Sequence, residues 1–281
     1  MKNKLLLIAL AGILFSALLF TSCEKTNNPS ANIEVAEDEA LSTLLFDDIF
    51  AEVENAMSSM EDGFYGGFKK STEVVTCKTI TVERPDDETF WPRTVTIDYG
   101  EGCEGFNGRV RSGKIIIVVN KRYMDEDHYR TVTFEDFYID DFKMEGTKTL
   151  TNEGLNEDGN MVFKIVLEGG KIIKPDGEEI IKEFNKEREW VAGMDTPRFR
   201  RDDVYMVTGT ASGVNRKMVA FTRTIVTPLK MAMNCRWIKS GVVEIEREDM
   251  DKITLDYGDG ECDRLATVTI GDEVKEIRLH R

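Results

Sequence analysis

Histidine and proline are scarce: two histidines and six prolines in 281 residues. His128 stands in the acidic turn Asp125-Glu126-Asp127 and His280 is one residue from the end. Both read as exposed, and neither has the neighbours that a catalytic base or a zinc site needs. The chain has no Cys-x-x-Cys pair, no Gly-x-Ser-x-Gly elbow, no His-Glu-x-x-His helix, no P-loop and no dinucleotide fingerprint. The stretch Gly209-Thr210-Ala211-Ser212-Gly213 lacks the spacing of a nucleophile elbow and reads as a turn. Basic runs are equally short, none longer than pairs such as Lys121-Arg122 or Arg200-Arg201, and the net charge is −15. Nucleic acid requires a basic face, so it is not expected as a partner. Past the first twenty residues no stretch approaches the ~18 consecutive apolar residues of a spanning helix.

What the chain does have is concentrated first at its start. Lys2 and Lys4 are followed by an apolar run of roughly 16 residues, Leu5 to Phe20, then Thr21-Ser22 and Cys23. This is the basic, apolar, small order of a secretory signal. The small residues end at a cysteine, which resembles the lipobox of bacterial lipoproteins, with Phe20 where that family usually carries Leu or Val. The resemblance implies that residues 1–22 are removed by the type II signal peptidase and that Cys23 becomes an acylated N-terminus seated in a lipid bilayer. Two or three acyl chains at ~0.8 kcal/mol per buried CH₂ give stable attachment where a single chain does not. Glu24 follows the cysteine where an Asp would favour inner-membrane retention in some groups, so the resemblance implies the outer membrane, facing the periplasm or the cell surface.

Four cysteines remain, Cys77, Cys103, Cys235 and Cys262, an even number suited to disulfides outside the cytoplasm. Four cysteines allow three connectivities, and an internal repeat selects among them. Ile97-Asp98-Tyr99-Gly100-Glu101-Gly102 precedes Cys103, and Leu255-Asp256-Tyr257-Gly258-Asp259-Gly260-Glu261 precedes Cys262. The partner cysteines lie 26 and 27 residues upstream (103 − 77 and 262 − 235). Each copy reads as a hairpin closed by its own bridge, Cys77–Cys103 and Cys235–Cys262, worth roughly 3 kcal/mol apiece by loop-closure entropy.

Residues 23–33, with Pro29, Ser30 and three asparagines, read as a lipid-anchored tether. From about 34 to 60 the apolar residues Leu41, Leu44, Leu45, Ile49, Val53, Ala56, Met57 and Met60 recur at three and four, an amphipathic helix that Asp62-Gly63 should end. Thereafter the period is two. Apolar alternation is broken by turns such as Pro85-Asp86-Asp87, Asp140-Asp141, Gly169-Gly170, Pro175-Asp176-Gly177 and Gly271-Asp272, and strands recur about every dozen residues with no helical crossover. The expectation is a mainly β fold: a curved antiparallel meander, half-barrel-like or sandwich-like, in one domain over residues 34–281 with the helix covering part of its apolar face.

Candidate chemistry is thin. Oxygen ligands in the two Gly-rich turns, Asp98 and Glu101 in one and Asp256 and Asp259 in the other, suit Ca²⁺ in type but not in EF-hand spacing. The competing account is that glycine takes the left-handed positions and aspartate caps the turn. Asp-Tyr-Gly-Asp-Gly is also similar to the Phe-Gly-Asp-Gly turn of PKD-type surface modules, without the Trp that usually precedes it. Trp91 is the tryptophan placed to stack on a sugar, Trp190 and Trp237 being in strands and more suited to a core. Any two of 52 acidic residues could serve a glycan hydrolase. Thr208–Arg216 and Cys235–Ile238 are similar to recurring segments of uncharacterised cell-envelope lipoproteins of Gram-negative bacteria. That resemblance implies a lipid-anchored, non-enzymatic binding or structural module for a protein or glycan, without a cofactor. A carboxylate-dependent hydrolase and a calcium-dependent adhesion module are the alternatives.

Overall fold

The alternation that starts near residue 72 produces a sheet whose strands follow one another in space as they do in sequence. A computed structural model describes residues 29–64, 72–75, 77–85, 91–105, 108–196, 199–248 and 250–279. It opens with helix α1 (Pro29–Phe64). The strands are β1 (Thr72–Val75), β2 (Lys78–Glu83), β3 (Arg93–Asp98), β4 (Cys103–Glu104), β5 (Val110–Val119), β6 (Tyr129–Ile139), β7 (Phe142–Leu155) and β8 (Met161–Ile173). They continue with β9 (Glu179–Ala192), β10 (Val204–Val214), β11 (Ala220–Ala232), β12 (Ile238–Arg247), β13 (Ile253–Asp259), β14 (Leu265–Ile270) and β15 (Glu273–Arg278). All pair antiparallel in a single open sheet in which each strand neighbours its successor, except that the two-residue β4 pairs with β5 and leaves β3 beside β5. The expected mainly β meander is what forms. Among the described residues no helix is long and apolar enough to cross a membrane.

The helix differs from expectation at both ends. It begins at Pro29, inside the stretch read as tether, because proline's fixed φ suits the first helical turn and its missing N–H is one that no helix start satisfies. It runs on through Gly63 to Phe64, since one glycine near a helix end costs only ~1 kcal/mol. Residues 23–28, Cys23 among them, lie outside the described residues.

The sheet wraps round α1. Leu45, Phe46, Ile49, Val53, Ala56 and Met57 are buried against Val95 and Ile97 of β3, Ile115 and Ile117 of β5, Phe137 of β6, Met144 of β7 and Phe184 of β9. At one level of the helix, Glu52 pairs with Lys78 of β2 while Phe50 meets the ring of Phe184 on β9 at 6.4 Å. Those two strands are six spacings apart, ~29 Å in a flat sheet at ~4.8 Å per strand, whereas a helix with its side chains is only ~10–12 Å wide. Contact at both margins requires the sheet to curl into a half-pipe with α1 along its trough.

Glycines make the curl possible. Gly113 of β5 has φ +76, and a Cβ there would lie 1.9 Å from the Asp136 carbonyl oxygen. The ladder between β5 and β6 slips at this place, between Ser112 and Lys114. On β7, a Cβ at Gly146 would lie 2.8 Å from the Cα of Gly170 on β8, where both flanking registers shift. Such bulges bend a sheet and increase its twist.

Both disulfides are formed in the pairing the repeat selects, Cys77–Cys103 and Cys235–Cys262. Each closes the open end of a hairpin, β2–β3 in one case and β12–β13 in the other. Followed through the register, the two bridges lie at opposite ends of the sheet, because Asp98 ends β3 beside the first residues of β5 while Asp259 ends β13 beside the first residues of β12. The repeat is therefore a local staple used twice, within one continuous sheet.

Candidate functional site

The acidic residues of α1 flank its apolar stripe on both sides, and the trough of the sheet answers them with cations. On one side Asp48 pairs with Arg111 of β5, which is 2% exposed, and Glu52 pairs with Lys78 and accepts from the Tyr99 hydroxyl at 3.2 Å. Burial, and then the Glu52 carboxylate, push the Tyr99 hydroxyl far above an ordinary phenol. Toward the helix start, Asp38 accepts from the Arg216 N–H at 3.0 Å, and the Lys182 ammonium donates to the hydroxyls of Ser42 and Thr43. These contacts fix the helix in its trough.

The other side is unbalanced. Glu54 is bonded by Arg130 of β6, and Lys148 of β7 and Arg188 of β9 also bear on it electrostatically. Burial alone would raise the Glu54 carboxyl, and these three cations outweigh it, holding the group down to about 2. The Glu54 side chain keeps 32% of its surface and so stays within reach of solvent along the flank of the helix. Lys148, in phase with the buried Leu150, is nine-tenths buried and stands over the Phe50 ring, 3.3 Å from its centroid. Among the described residues no acceptor bonds its ammonium. Burial pushes its pKa down to about 7, with Arg130 and Arg188 adding to the effect and Glu54 and Asp47 opposing it.

Aromatic walls orient Arg188. Its guanidinium lies 5.3 Å from the Phe163 ring centroid and 4.9 Å from that of Tyr205, and its Nη2 donates to the Tyr123 hydroxyl at 2.6 Å. Tyr123 stacks on Phe163 with centroids 4.6 Å apart. The Arg188 Nε is buried without an acceptor. Below this box Leu150, Met161, Phe163, Trp190 and Tyr205 form a second core, and Asp203, with its carboxyl raised by burial, accepts from the Tyr205 hydroxyl at 3.2 Å. Cation–π contact on two faces leaves the edge of a guanidinium free for an anion.

The residues singled out in the sequence do not converge here. His128, read as exposed, is 1% exposed: its Nδ1 bonds the Lys121 carbonyl at 2.8 Å, its ring edge meets Tyr123, and burial pushes it down to about 4. The turn beside it folds back so that the His128 carbonyl accepts from the Asn152 N–H, which puts the ring under the sheet end. His280 lies outside the described residues. Asp98 and Asp256 perform the same task in the two turns, accepting from the N–H of Gly100 at 2.8 Å and of Gly258 at 2.9 Å. Both glycines have positive φ, and Tyr99 and Tyr257 between them are buried. Glu101 is exposed beside the first turn. Asp256 and Asp259 line a shallow cavity of about 170 Å³ with Glu261, Asp263 and Glu276. Among the described residues no three His, Cys, Asp or Glu side chains are grouped to hold a metal ion. Trp91 is half-buried on the main core with Arg93 over its ring at 4.9 Å, Trp190 belongs to the second core, and Trp237 carries Arg236 at 5.6 Å.

Sequence reasoning passed over Arg130, Lys148 and Arg188. Their signal was phase: Lys148 in Thr147-Lys148-Thr149-Leu150 and Arg188 in Phe184-Asn185-Lys186-Glu187-Arg188-Glu189-Trp190 fall on the beat of the buried residues, a costly place for a cation. No family model, no curated protein and no solved structure matches this chain.

Proposed function

We propose that this chain is a cell-envelope lipoprotein, held at the outer membrane through acylated Cys23, whose β body is a non-enzymatic binding module for a protein or glycan partner. The observation that carries the reading is the pair of disulfides closing the hairpins β2–β3 and β12–β13. Bridges of this kind persist where thiols oxidise, which is where the signal-like first 22 residues would send the chain. Binding is favoured over turnover because the half-pipe sets cations beside an aromatic wall along the flank of α1, which serves to hold a ligand. Asp98 and Asp256 of the Gly-rich turns are spent on their own backbone.

The test is metabolic labelling with a palmitate analogue in a Gram-negative host. The wild-type chain takes up label and fractionates with the outer membrane, and Cys23→Ala takes up none. Equal labelling of the two, or recovery of unlabelled wild type from cytosol with its thiols reduced, would overturn the reading.

A further inference from the structure

We propose that Arg130, Lys148 and Arg188 form a binding site for the oxyanion group of a small ligand, and that Glu54 of α1 occupies it as an internal stand-in. The inference deepens the binding reading above by naming the ligand's chemistry, but it stands on different observations.

The first is the count of groups. Among the described residues one carboxylate, Glu54, is hydrogen-bonded within this group of three cations, and it bonds only Arg130, while Asp47 bears on Lys148 without a bond. The second is the donors left over. Lys148 as a residue is nine-tenths buried and its ammonium has no acceptor among the described residues, and the Arg188 Nε is buried with no hydrogen-bond partner. Buried donors are nearly always satisfied, and an unpaired buried cation is among the most expensive features a fold can carry. The third is access. Glu54 keeps a third of its surface, and Phe50 and Arg188 are half-buried, so the cluster opens to solvent along the flank of the helix. Two guanidinium forks and an ammonium are the donor set that planar or tetrahedral oxyanions take.

The other flank holds the same helix through Asp48 with Arg111 and through Glu52 with Lys78 and the Tyr99 hydroxyl. The charged and titratable groups that bear on Lys148 are Glu54 and Asp47 from α1, Arg130 from β6 and Arg188 from β9. With burial holding Lys148 near 7, the empty site sheds a proton around neutrality and an arriving oxyanion restores it. Binding therefore takes up protons and weakens as pH rises from 6 to 9. His128, held near 4, does not titrate in that range.

The experiment is calorimetric titration of the full mature chain with sodium sulfate, chosen because sulfate does not itself titrate near neutrality, at ionic strength held constant with NaCl. Glu54→Gln, which removes the stand-in's charge and keeps its shape, should bind sulfate about tenfold more tightly than wild type, and Lys148→Met about tenfold more weakly. The wild-type affinity should fall from pH 6 to pH 9, and Lys148→Met should lack that slope. Lys148→Gln serves as a second variant if Lys148→Met does not fold, and circular dichroism checks both. The proposal is overturned if Glu54→Gln binds no sulfate at ~10 mM, or if wild type and the Lys148 variants bind alike at every pH. Acylation plays no part in this measurement, so its failure and a failure of palmitate labelling are separate results.

Discussion

Replacing Lys148 by methionine should stabilise the protein at neutral pH and remove part of its pH dependence. Methionine keeps the length and most of the volume of the lysine stem and removes an ammonium that stands over the Phe50 ring without an acceptor among the described residues. The unfolded chain holds the lysine proton up to about 10.5, whereas burial lets the folded chain hold it only to about 7. Between those values the unfolded state binds more protons, so wild-type stability rises with pH by about 1.4 kcal/mol per unit in that window, roughly 2 kcal/mol from pH 7 to pH 9. Above pH 10 the trend is masked, because Tyr99 and Tyr205 stay protonated in the fold and ionise on unfolding. Urea unfolding at pH 7, 8 and 9 on wild type and Lys148→Met measures the effect. The variant should lead at pH 7, with the gap shrinking by about 2 kcal/mol at pH 9. A gap that stays constant over those two units would mean that Lys148 keeps an ordinary pKa in the fold, and would refute the reasoning.

Two further outcomes follow from other parts of the structure. His128 is buried and holds its proton only below about 4, so the stability it confers is complete above 6.5 and is lost as pH falls toward 4. His128→Gln should flatten the unfolding midpoint over that interval, where one group contributes about 1.4 kcal/mol per pH unit. Gly113→Ala forces a methyl group onto the Asp136 carbonyl at a left-handed backbone position. It should destabilise by about 3 kcal/mol or more, and thermal melts will show whether it does.

Much of the architecture was readable in one dimension because its causes are local. Period-two alternation and most turn residues describe a meander strand by strand, and sequential antiparallel neighbours need no long-range information to find one another, although Gly169-Gly170 and residues 209–213, read as turns, lie inside β8 and β10 where the registers slip. The disulfide pairing was legible for a similar reason: each bridge spans one hairpin, so a repeated Asp-Tyr-Gly turn at a repeated distance from an upstream cysteine identifies the partner. The helix was legible in kind but not in extent, since helix ends depend on capping and on what the terminal turns meet.

The sequence by itself determined the class of the protein, its hairpin staples and which residues of each strand face inward, because side-chain direction in a strand has a period of two and register follows from the turns. Tertiary structure alone decided which inward residues meet. Glu54, Arg130, Lys148 and Arg188 come from a helix and three strands that are brought together only when the sheet curls round α1. His128, in an acidic turn that looked solvated, was buried where that turn folds back onto Asn152 of β7. Curvature is a sum of small twists and glycine bulges over many strands, and no single window of sequence contains it.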